Sequence, residues 1–386
     1  MKRNYGLICL LFFVFIIACS PQKNGSISTV DLIDVPIERN DAPGLFDSIF
    51  EMNRYIPLEA TDESLIRRVG KIIFYRDTVY VLDTEEKRVL AFDKTGKFLK
   101  KYEHFGQGPG EYLSLVDFTI KGDTLYLLDR NVGQLLLYNL EDSLLQAQKV
   151  PKAKGICVLG SQKYAFNEEL GAADKSLNKE YYSYSLIEHG KKKLRSIPYN
   201  KELCGLSFSL SEGANSFYYY QDSIYTYFPF NDTIYCVDDV NGELSPYLRV
   251  KIGDECIGLE DDKKQIDALR KKISSTIFAF YKWDEAILFS YYYNNENRKY
   301  VYADKTGEVL FTGAFGLDRN KLPVRVIAYH SDKETGELLS LNYPHELIGL
   351  AKYHAEKSPI LKEIVGSISE EGNPILIFYN LRARAE

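Results

Sequence analysis

The chain has 386 residues, a formal net charge of −6 at pH 7 and 45% hydrophobic residues. This length suffices for a large hydrophobic core, either in one all-β domain or in two smaller domains. Because the charge balance is acidic and no basic stripe is present, the composition argues against nucleic-acid binding, and we expect no nucleic acid among the partners.

Residues 1–18 have the pattern of a secretion signal. Lys2 and Arg3 provide the positive start, and an apolar stretch follows from Gly6 to Ala18. That stretch is shorter than the roughly 20 apolar residues that a membrane-spanning helix needs. We therefore expect the segment to direct export and then to be removed.

The signal is followed by Cys19, and the ending Ile-Ile-Ala-Cys resembles a bacterial lipobox. We expect Cys19 to carry the lipid anchor; the alternative is an ordinary signal peptide with an incidental cysteine. Residues 19–29 then form a flexible tether, and residues 30–386 form the folded domain, for which the internal repeats predict a β-propeller. The prediction is a cell-envelope lipoprotein that touches the membrane through its lipid only. We favour the periplasmic face of the outer membrane, with the cell surface as the alternative.

The folded domain contains four cysteines whose spacing matches no metal site of the C-x-x-C type. An oxidising envelope permits disulfides, and four cysteines allow three pairings, so the disulfide state stays open. Cys236 lies in the strand-like run Thr233–Val237, where we expect a buried free thiol. The four residues are Cys157, Cys204, Cys236 and Cys256.

Self-similarity is the most informative pattern along the chain. The stretch Asp77–Asp83 recurs 46 residues later as Asp123–Asp129, and Val89–Phe92 recurs at the same offset as Leu135–Tyr138. A period of this length with four short strand-like runs is typical of a β-propeller blade. The sequence therefore predicts an all-β fold: a single six-bladed β-propeller of four-stranded antiparallel blades, with short helical insertions. Length alone would also allow seven blades.

Weaker copies of the unit predict the remaining blades. A third is expected across residues 155–200, a fourth from Asp222 to Ile252, and a fifth through Ile287. The fifth continues into Asp304–Gly307, which repeats the letters of Asp93–Gly96. The last blade must join the two ends of the chain, because an open ring would leave an unpaired sheet edge. Its strands are expected around Ile56 and within Val324–Ala328, Leu338–Leu341 and Pro374–Tyr379.

Two segments predict helices inserted between strands. In Leu259–Phe280, the residues Ile266, Leu269 and Ile273 share one helical face with charged residues opposite, which is typical of a surface helix. Pro344–Ser367 contains two apolar-rich runs, which predict two short helices before the final strand.

The stretch Val79–Tyr112 resembles an NHL repeat. It has a short strand ending in Asp83, an apolar strand led by Arg88, a strand led by Gly96 and a glycine-rich crossover ending in Glu111-Tyr112. More broadly, the chain is similar to six-bladed β-propeller lipoproteins of Gram-negative anaerobes. That resemblance implies the fold but no particular chemistry, because a fold does not dictate function. Its matching stretches are Arg54–Glu59, Asn231–Tyr235 and Gly372–Ile377.

The crossover after the first complete repeat contains Gly106, Gly108 and Gly110, a pattern that also suits a phosphate-binding loop. A phosphate cradle needs a helix N-terminus after its glycines, whereas here the strand-like run Tyr112–Phe118 follows. We therefore interpret the loop as a connector, whose glycines let the backbone turn and run close to its neighbour.

Four polar residues near this connector are candidate ligand-binding groups, because propeller ligands usually sit where crossover loops line the central pocket. A histidine and a glutamate there would place a donor and an acceptor on a loop held by rigid sheets. The alternative is structural: Glu111 and Asp117 would satisfy loop amides, and His104 would face solvent. The candidates are His104, Gln107, Glu111 and Asp117.

Enzyme signatures are sparse. The five histidines form no H-E-x-x-H motif, and no G-x-S-x-G motif is present. We therefore predict a non-catalytic envelope protein, without cofactor or metal, that binds a glycan, a peptide or an envelope protein through a propeller face. The alternative is a hydrolase or lyase acting on glycans or related small substrates, with or without a metal ion, in the pocket that propeller axes often provide. Carboxylates converging on the axis around a cation would favour the enzyme.

Overall fold

Strands dominate the structure because β-branched and aromatic residues recur in short runs separated by turn residues. The computed structural model describes residues 31–35, 45–168, 181–200, 203, 216–228, 230–252, 273–293, 297–331 and 336–382. This part of the chain begins with β1 (Asp31–Val35), α1 (Leu45–Ile49) and β2 (Phe50–Pro57).

Six small sheets, arranged in a ring, form the blades of a β-propeller. Blade 1 contains β3 (Val69–Tyr75), β4 (Thr78–Asp83), β5 (Arg88–Asp93) and β6 (Phe98–Tyr102). Blade 2 contains β7 (Leu115–Lys121), β8 (Thr124–Asp129), β9 (Gln134–Asn139) and β10 (Leu144–Lys149). Blade 3 contains β11 (Ala153–Gly160), β12 (Lys163–Glu168), β13 (Tyr182–Glu188) and β14 (Lys191–Pro198).

The second half of the ring is built in the same way. Blade 4 contains β15 (Phe217–Tyr220), β16 (Ser223–Tyr227), β17 (Thr233–Val237) and β18 (Leu244–Ile252), and β1 pairs in parallel with the outer edge of β18. Blade 5 contains β19 (Ile273–Lys282), β20 (Ala286–Tyr293), β21 (Asn297–Asp304) and β22 (Val309–Gly313). The short strand β23 (His330–Ser331) pairs in parallel with β3 of blade 1.

Blade 6 joins the two ends of the chain. It contains β24 (Glu337–Asn342) and β25 (Ile375–Leu381), with β2 on the far side of β25. On its inner side Val326 forms a single bridge to Ser340, so the expected strand at 324–328 is only partly regular. The predicted six-bladed ring is therefore confirmed, with four consecutive strands in each of blades 1–5 and three named strands in blade 6.

The Arg54 side chain links the three named strands of blade 6. Arg54 on β2 lies over the Phe378 ring of β25, 3.6 Å from its centroid, and reaches Glu337 on β24. The guanidinium donates to both carboxylate oxygens of Glu337, at 3.1 Å from Nε and 2.7 Å from Nη2. This two-point geometry matches the fixed fork of arginine to a carboxylate. Residues from both ends of the chain are thus held across all three named strands of the blade.

The repeated Asp-Lys-Thr-Gly sequence forms the same turn twice. In Asp93–Gly96 the Asp93 carboxylate accepts from the Thr95 amide at 2.8 Å and the Thr95 hydroxyl at 2.6 Å. In Asp304–Gly307 the corresponding distances are 2.8 Å and 2.5 Å. Both turns end in a left-handed glycine, with φ of +91° at Gly96 and +86° at Gly307, a conformation that glycine adopts without steric cost.

The predicted helix Leu259–Phe280 is wrong in its last part, because Ile273–Lys282 forms strand β19. The run is rich in β-branched and aromatic residues, and pairing with β20 outweighs the helical spacing of a few apolar positions. Residues 259–272 lie outside the described part of the chain. The two helices expected within Pro344–Ser367 are confirmed as α2 (Pro344–His354) and α3 (Pro359–Gly366), separated by a 3₁₀ turn at Ala355–Lys357.

The cysteines of the described residues carry free thiols. Cys157 is buried and Cys236 half-buried, so the expected free thiol at Cys236 is confirmed, although it is less buried than expected. Cys19, Cys204 and Cys256 lie outside the described residues.

Among the helices that the structure describes, none has the length and apolar character to cross a bilayer.

Truncating a buried ring of blade 6 should lower the free energy of unfolding. Phe378 is fully buried and packs edge-on against Phe74 of blade 1 at 5.6 Å, so Phe378→Ala removes a ring from the junction between the last blade and the first. We expect a loss of about 3–5 kcal/mol in the free energy of unfolding, measured by denaturant titration. Tyr353→Ala is the matched control, since this ring is 81% exposed on α2 and its loss should change stability by less than about 0.5 kcal/mol. Equal effects of the two substitutions would contradict the packing described here.

Candidate functional site

The first strands of the blades lie closest to one another. β7 packs between β3 and β11, and β15 contacts both β11 and β19. Side chains on these inner strands therefore meet near the centre of the ring, although they are far apart in sequence. Because ligands commonly bind in the concave centre of such folds, residues at these positions are candidates for a binding site.

Asp117, one of the four predicted candidates, lies on inner strand β7 and is buried. Its Oδ1 accepts from Nζ of Lys71 on β3 at 2.7 Å and from the Phe118 amide at 2.8 Å. Its Oδ2 accepts from the Ile156 amide on β11 at 2.8 Å. One carboxylate therefore ties together the inner strands of three blades. Burial raises the pKa of Asp117 above its ordinary value, and the Lys71 ammonium and the two amides oppose that rise.

Three further ionisable groups lie beside this ion pair. The Tyr219 hydroxyl on β15 donates to Sγ of Cys157 on β11 at 3.2 Å, and the Tyr219 ring lies 4.1 Å from the His330 ring, centroid to centroid. Burial raises the pKa of the Cys157 thiol to about 11 and raises that of Tyr219 well above its usual value. Burial, assisted by the Lys71 ammonium, lowers the pKa of His330 to about 3. At neutral pH all three groups are therefore uncharged.

Two adjoining cavities open at the C-terminal ends of the inner strands, and we call them together the basal chamber. The first, about 270 Å³, lies between the ends of β7, β11 and β15, and the second, about 360 Å³, between β15, β19 and the segment around β23. The two share one wall, and their other surfaces add tyrosines, Trp283, Lys121 and Asp239. The shared wall consists of Tyr219, Gln221, Asp222 and His330.

Polar side chains in this chamber are held in place by their neighbours. Lys121 Nζ donates to the carbonyl oxygens of Val158 and Leu159 at 3.0 and 2.9 Å. Tyr220 and Gln221 both donate to Asp284 Oδ1, at 3.2 and 3.3 Å. Lys121, Tyr220 and Gln221 are thus held by hydrogen bonds to neighbouring groups, and Gln221 and Asp222 are exposed on the β15–β16 turn.

The crossover between blades 1 and 2 lies elsewhere, against the β9–β10 hairpin of blade 2. His104 Nε2 lies 2.8 Å from Oδ1 of Asp142, and the His104 ring stacks on Tyr138, 4.3 Å between centroids and 9° between planes. The Tyr138 hydroxyl donates to the carbonyl oxygen of Gly110 at 2.5 Å. The loop runs from β6 of blade 1 to β7 of blade 2, and His104 is half-buried rather than facing solvent.

Glu111 and the glycines stabilise the loop from within. Oε2 of Glu111 accepts from the Gly108 amide at 2.6 Å, and a Cβ added to Gly106 would lie 2.0 Å from the same oxygen. Gly110 has a left-handed φ of +85°, and a Cβ there would lie 2.8 Å from Leu144 Cδ2. Gln107 is exposed on the same loop. These contacts agree with the structural interpretation of Glu111 given above.

The structure therefore separates the four predicted candidates. Asp117 is at the centre of the ring, whereas His104, Gln107 and Glu111 are on the crossover, and none of the four lines the basal chamber. Sequence reasoning missed Lys71, although Lys71 stands one repeat, 46 residues, before Asp117. Opposite charges at equivalent positions of two inner strands would have indicated the pair. Within the described residues, no group of three or more His, Cys, Asp or Glu side chains is placed to hold a metal ion.

The buried ion pair generates a double-mutant prediction. Lys71→Met leaves the Asp117 carboxylate buried without its cation, and we expect a loss of about 3–5 kcal/mol in the free energy of unfolding. Adding Asp117→Asn removes that unpaired charge but keeps an acceptor for the Ile156 amide. The double variant should therefore be more stable than Lys71→Met alone. Additive losses in denaturant unfolding would show that the two side chains do not interact.

His330 generates a pH prediction. The folded chain binds the His330 proton more weakly than the unfolded chain, in which the pKa is about 6.5, so protonation favours unfolding as the pH falls from about 6.5 towards 3. Between pH 7 and pH 4.5 the wild type should lose about 2 kcal/mol more unfolding free energy than His330→Phe. Other titrating groups are common to both proteins and cancel in this comparison. Parallel pH profiles would contradict the assignment.

Comparison with solved structures shows the same fold in proteins of two Bacteroides species. A presumed exported protein of Bacteroides fragilis matches with a TM-score of 0.72 at 19% identity, over 92% of this chain and all of that chain. A member of the DUF4221 family from Bacteroides vulgatus matches with a TM-score of 0.50 at 9% identity, over 86% of this chain and 97% of that one. At these identities the likeness shows the fold alone. No curated protein matches the sequence.

The propeller, including both its N-terminal strand β2 and its C-terminal strand β25, falls within one family model. That model, described as a domain of unknown function, matches residues 28–380. The resemblance to NHL repeats and to lipoproteins of anaerobes stays a prediction. The chain belongs to the DUF4934 family.

Proposed function

We propose that this protein is a non-catalytic, lipid-anchored protein of the cell envelope that binds a ligand in the basal chamber. The observation that carries the proposal is the shared wall of Tyr219, Gln221, Asp222 and His330 between the two cavities at the centre of the ring. Small-ligand sites usually have volumes of about 300–1,000 Å³; the larger cavity, about 360 Å³, is within this range, and the smaller, about 270 Å³, is just below it. Blade 4 supplies Tyr219 from β15 and Gln221 and Asp222 from the turn that follows it, and β23, which pairs with blade 1, supplies His330.

The lining favours a hydroxyl-rich ligand, such as the end of a glycan chain. Tyrosine rings offer apolar faces with a polar edge, and the Gln221 amide and Asp222 carboxylate add a donor and acceptors on the shared wall. A neutral His330 adds no positive charge to the shared wall, and Lys121 and Lys282 line the other surfaces of the chamber. A peptide of similar size is the second ligand class that these groups could accommodate.

The contacts and protonation states of the central ionisable groups favour a binding function over hydrolase or lyase activity. Asp117 is engaged by Lys71 and two amides, so its carboxylate is committed to holding strands together. The Cys157 thiol has a pKa of about 11 and is therefore not a thiolate nucleophile at neutral pH. The proposed location in the envelope rests on the export signal at residues 1–18 and is supported by the structural likeness to a presumed exported protein. The anchor at Cys19 is proposed from the sequence alone.

A thermal-shift screen against oligosaccharides and peptides tests this proposal. A ligand at one hundred times its Kd should stabilise the folded chain by about 2.7 kcal/mol and raise Tm. Asp222→Ala and Gln221→Ala alter the shared wall and should remove most of that ligand-dependent rise.

The control is the double variant His104→Ala with Glu111→Ala, which alters the crossover loop and none of the chamber wall. Its own Tm should fall, because the His104 stack on Tyr138 is lost, but its ligand-dependent rise should equal that of the wild type. If the crossover variant loses the ligand and the chamber variants keep it, the site lies on the crossover face and the chamber assignment is wrong.

A further inference from the structure

The outermost strands of the blades differ in how they are protected. β6 carries Lys100 and Lys101, β14 carries Lys191–Lys193 and ends in Pro198, and β2 ends in Pro57. The outer edge of β18 is covered by β1, and the last three residues of β22 are buried. Charges, prolines and covering strands are the usual devices that stop sheet edges from pairing with other chains.

β10 of blade 2 has fewer of these devices: one charged residue, Lys149 at its end, and a register irregularity at Leu145 in its pairing with β9. Its first five residues, Leu-Leu-Gln-Ala-Gln, carry no charge and no proline, and within the described residues it pairs with β9 only. The side chains of Leu144 and Leu145 are 43% and 56% exposed. An uncharged, exposed and unpaired edge strand is a template for pairing with another strand.

Contacts with blade 1 and its crossover hold the turn that precedes β10. The turn that precedes it is fixed to the blade 1 crossover by the His104–Asp142 contact and by the Tyr102 hydroxyl, which donates to the Leu140 carbonyl oxygen at 2.8 Å. Leu144 itself lies against Gly110. An edge held in this way loses little conformational entropy when a partner strand pairs with it.

The charges around β10 are arranged for pairing with a copy of itself. Acidic residues precede the strand at Glu141 and Asp142, whereas the strand ends in Lys149 and is followed by Lys152. Antiparallel pairing about a twofold axis near Gln146 and Ala147 sets the acidic end of each strand beside the basic end of its partner. A parallel pairing would bring like charges together instead, which disfavours it.

We propose that the protein forms a symmetric dimer through its β10 strands, which join the two copies of blade 2 into one continuous sheet. The interface is isologous, since the same edge is used by both copies. Leu145 contributes apolar area, backbone hydrogen bonds supply the pairing, and the four flanking charges select the antiparallel arrangement. This inference is independent of the ligand proposed for the basal chamber.

Disulfide trapping of the full chain, exported into the envelope of a Gram-negative host, tests the dimer. Gln146→Cys and Ala147→Cys place thiols next to the twofold axis, so at least one should give a product of twice the chain mass on a non-reducing gel. Leu99→Cys is the matched control, because Leu99 is 52% exposed on the edge strand β6. Neither this control nor the wild type should give the product.

Sedimentation of the purified full chain in detergent provides a second readout. Leu145→Lys places a like charge near the axis in both copies, and the dimer dissociation constant should rise at least tenfold while Tm stays within a few degrees of the wild type. Three results overturn the proposal: no trapping at either position, equal trapping at Leu99, or a trapped product whose mass identifies a different protein. Unchanged self-association in the Leu145→Lys variant overturns it as well.

Discussion

The ring depends on one pairing, that of β2 with β25. The four consecutive strands within each of blades 1–5 pair with one another, but this pairing joins residues near position 54 to residues near position 378. Until it forms, the core faces of blades 6 and 1 have no neighbour to cover them. Bringing such distant segments together costs conformational entropy before the stabilising contacts between them can form. We therefore expect ring closure to be slower than hairpin formation within a blade.

The centre of the ring shows how the blades are held once closure is complete. The Lys71–Asp117 pair, with the amides of Phe118 and Ile156, joins three inner strands by hydrogen bonds rather than by apolar packing. A polar link of this kind fixes the relative positions of strands more narrowly than hydrophobic contact does, because its geometry is directional. The basal chamber lies beyond these links, at the strand ends, where the inner strands diverge into turns. Its shape is therefore set by the same contacts that hold the ring.

The sequence was most informative where the repeat is strong. The 46-residue offset located blades 1 and 2, and the Asp-Lys-Thr-Gly repeat located the same turn in blades 1 and 5. The helix predicted across Ile273 failed because a few apolar residues at helical spacing also fit a buried strand, and only the partner strand β20 decides between the two. Long-range pairing of that kind is not visible in a local pattern.

The candidate site was harder to predict than the fold. A crossover begins at an outer strand and ends at an inner strand, so its residues are spread from the edge of one blade to the centre of the next. Asp117 is at the inner end, and His104 packs on the outer hairpin of blade 2. Residues of the chamber such as Gln221 and His330 come from separate blades, and their proximity follows from ring geometry that no single segment encodes.

The Lys71–Asp117 pair also limits how far the repeats are interchangeable. The two residues occupy equivalent positions of neighbouring blades, so a ring of identical blades would place two ammonium groups, or two carboxylates, at the same buried point. Replacing blade 2 by a copy of blade 1 would therefore bury two like charges where an opposite pair, 2.7 Å apart, now stands. The two blades must therefore differ in sequence at this position. A propeller built from identical consensus blades would need an apolar residue there, and otherwise its blades would have to alternate between a basic and an acidic residue.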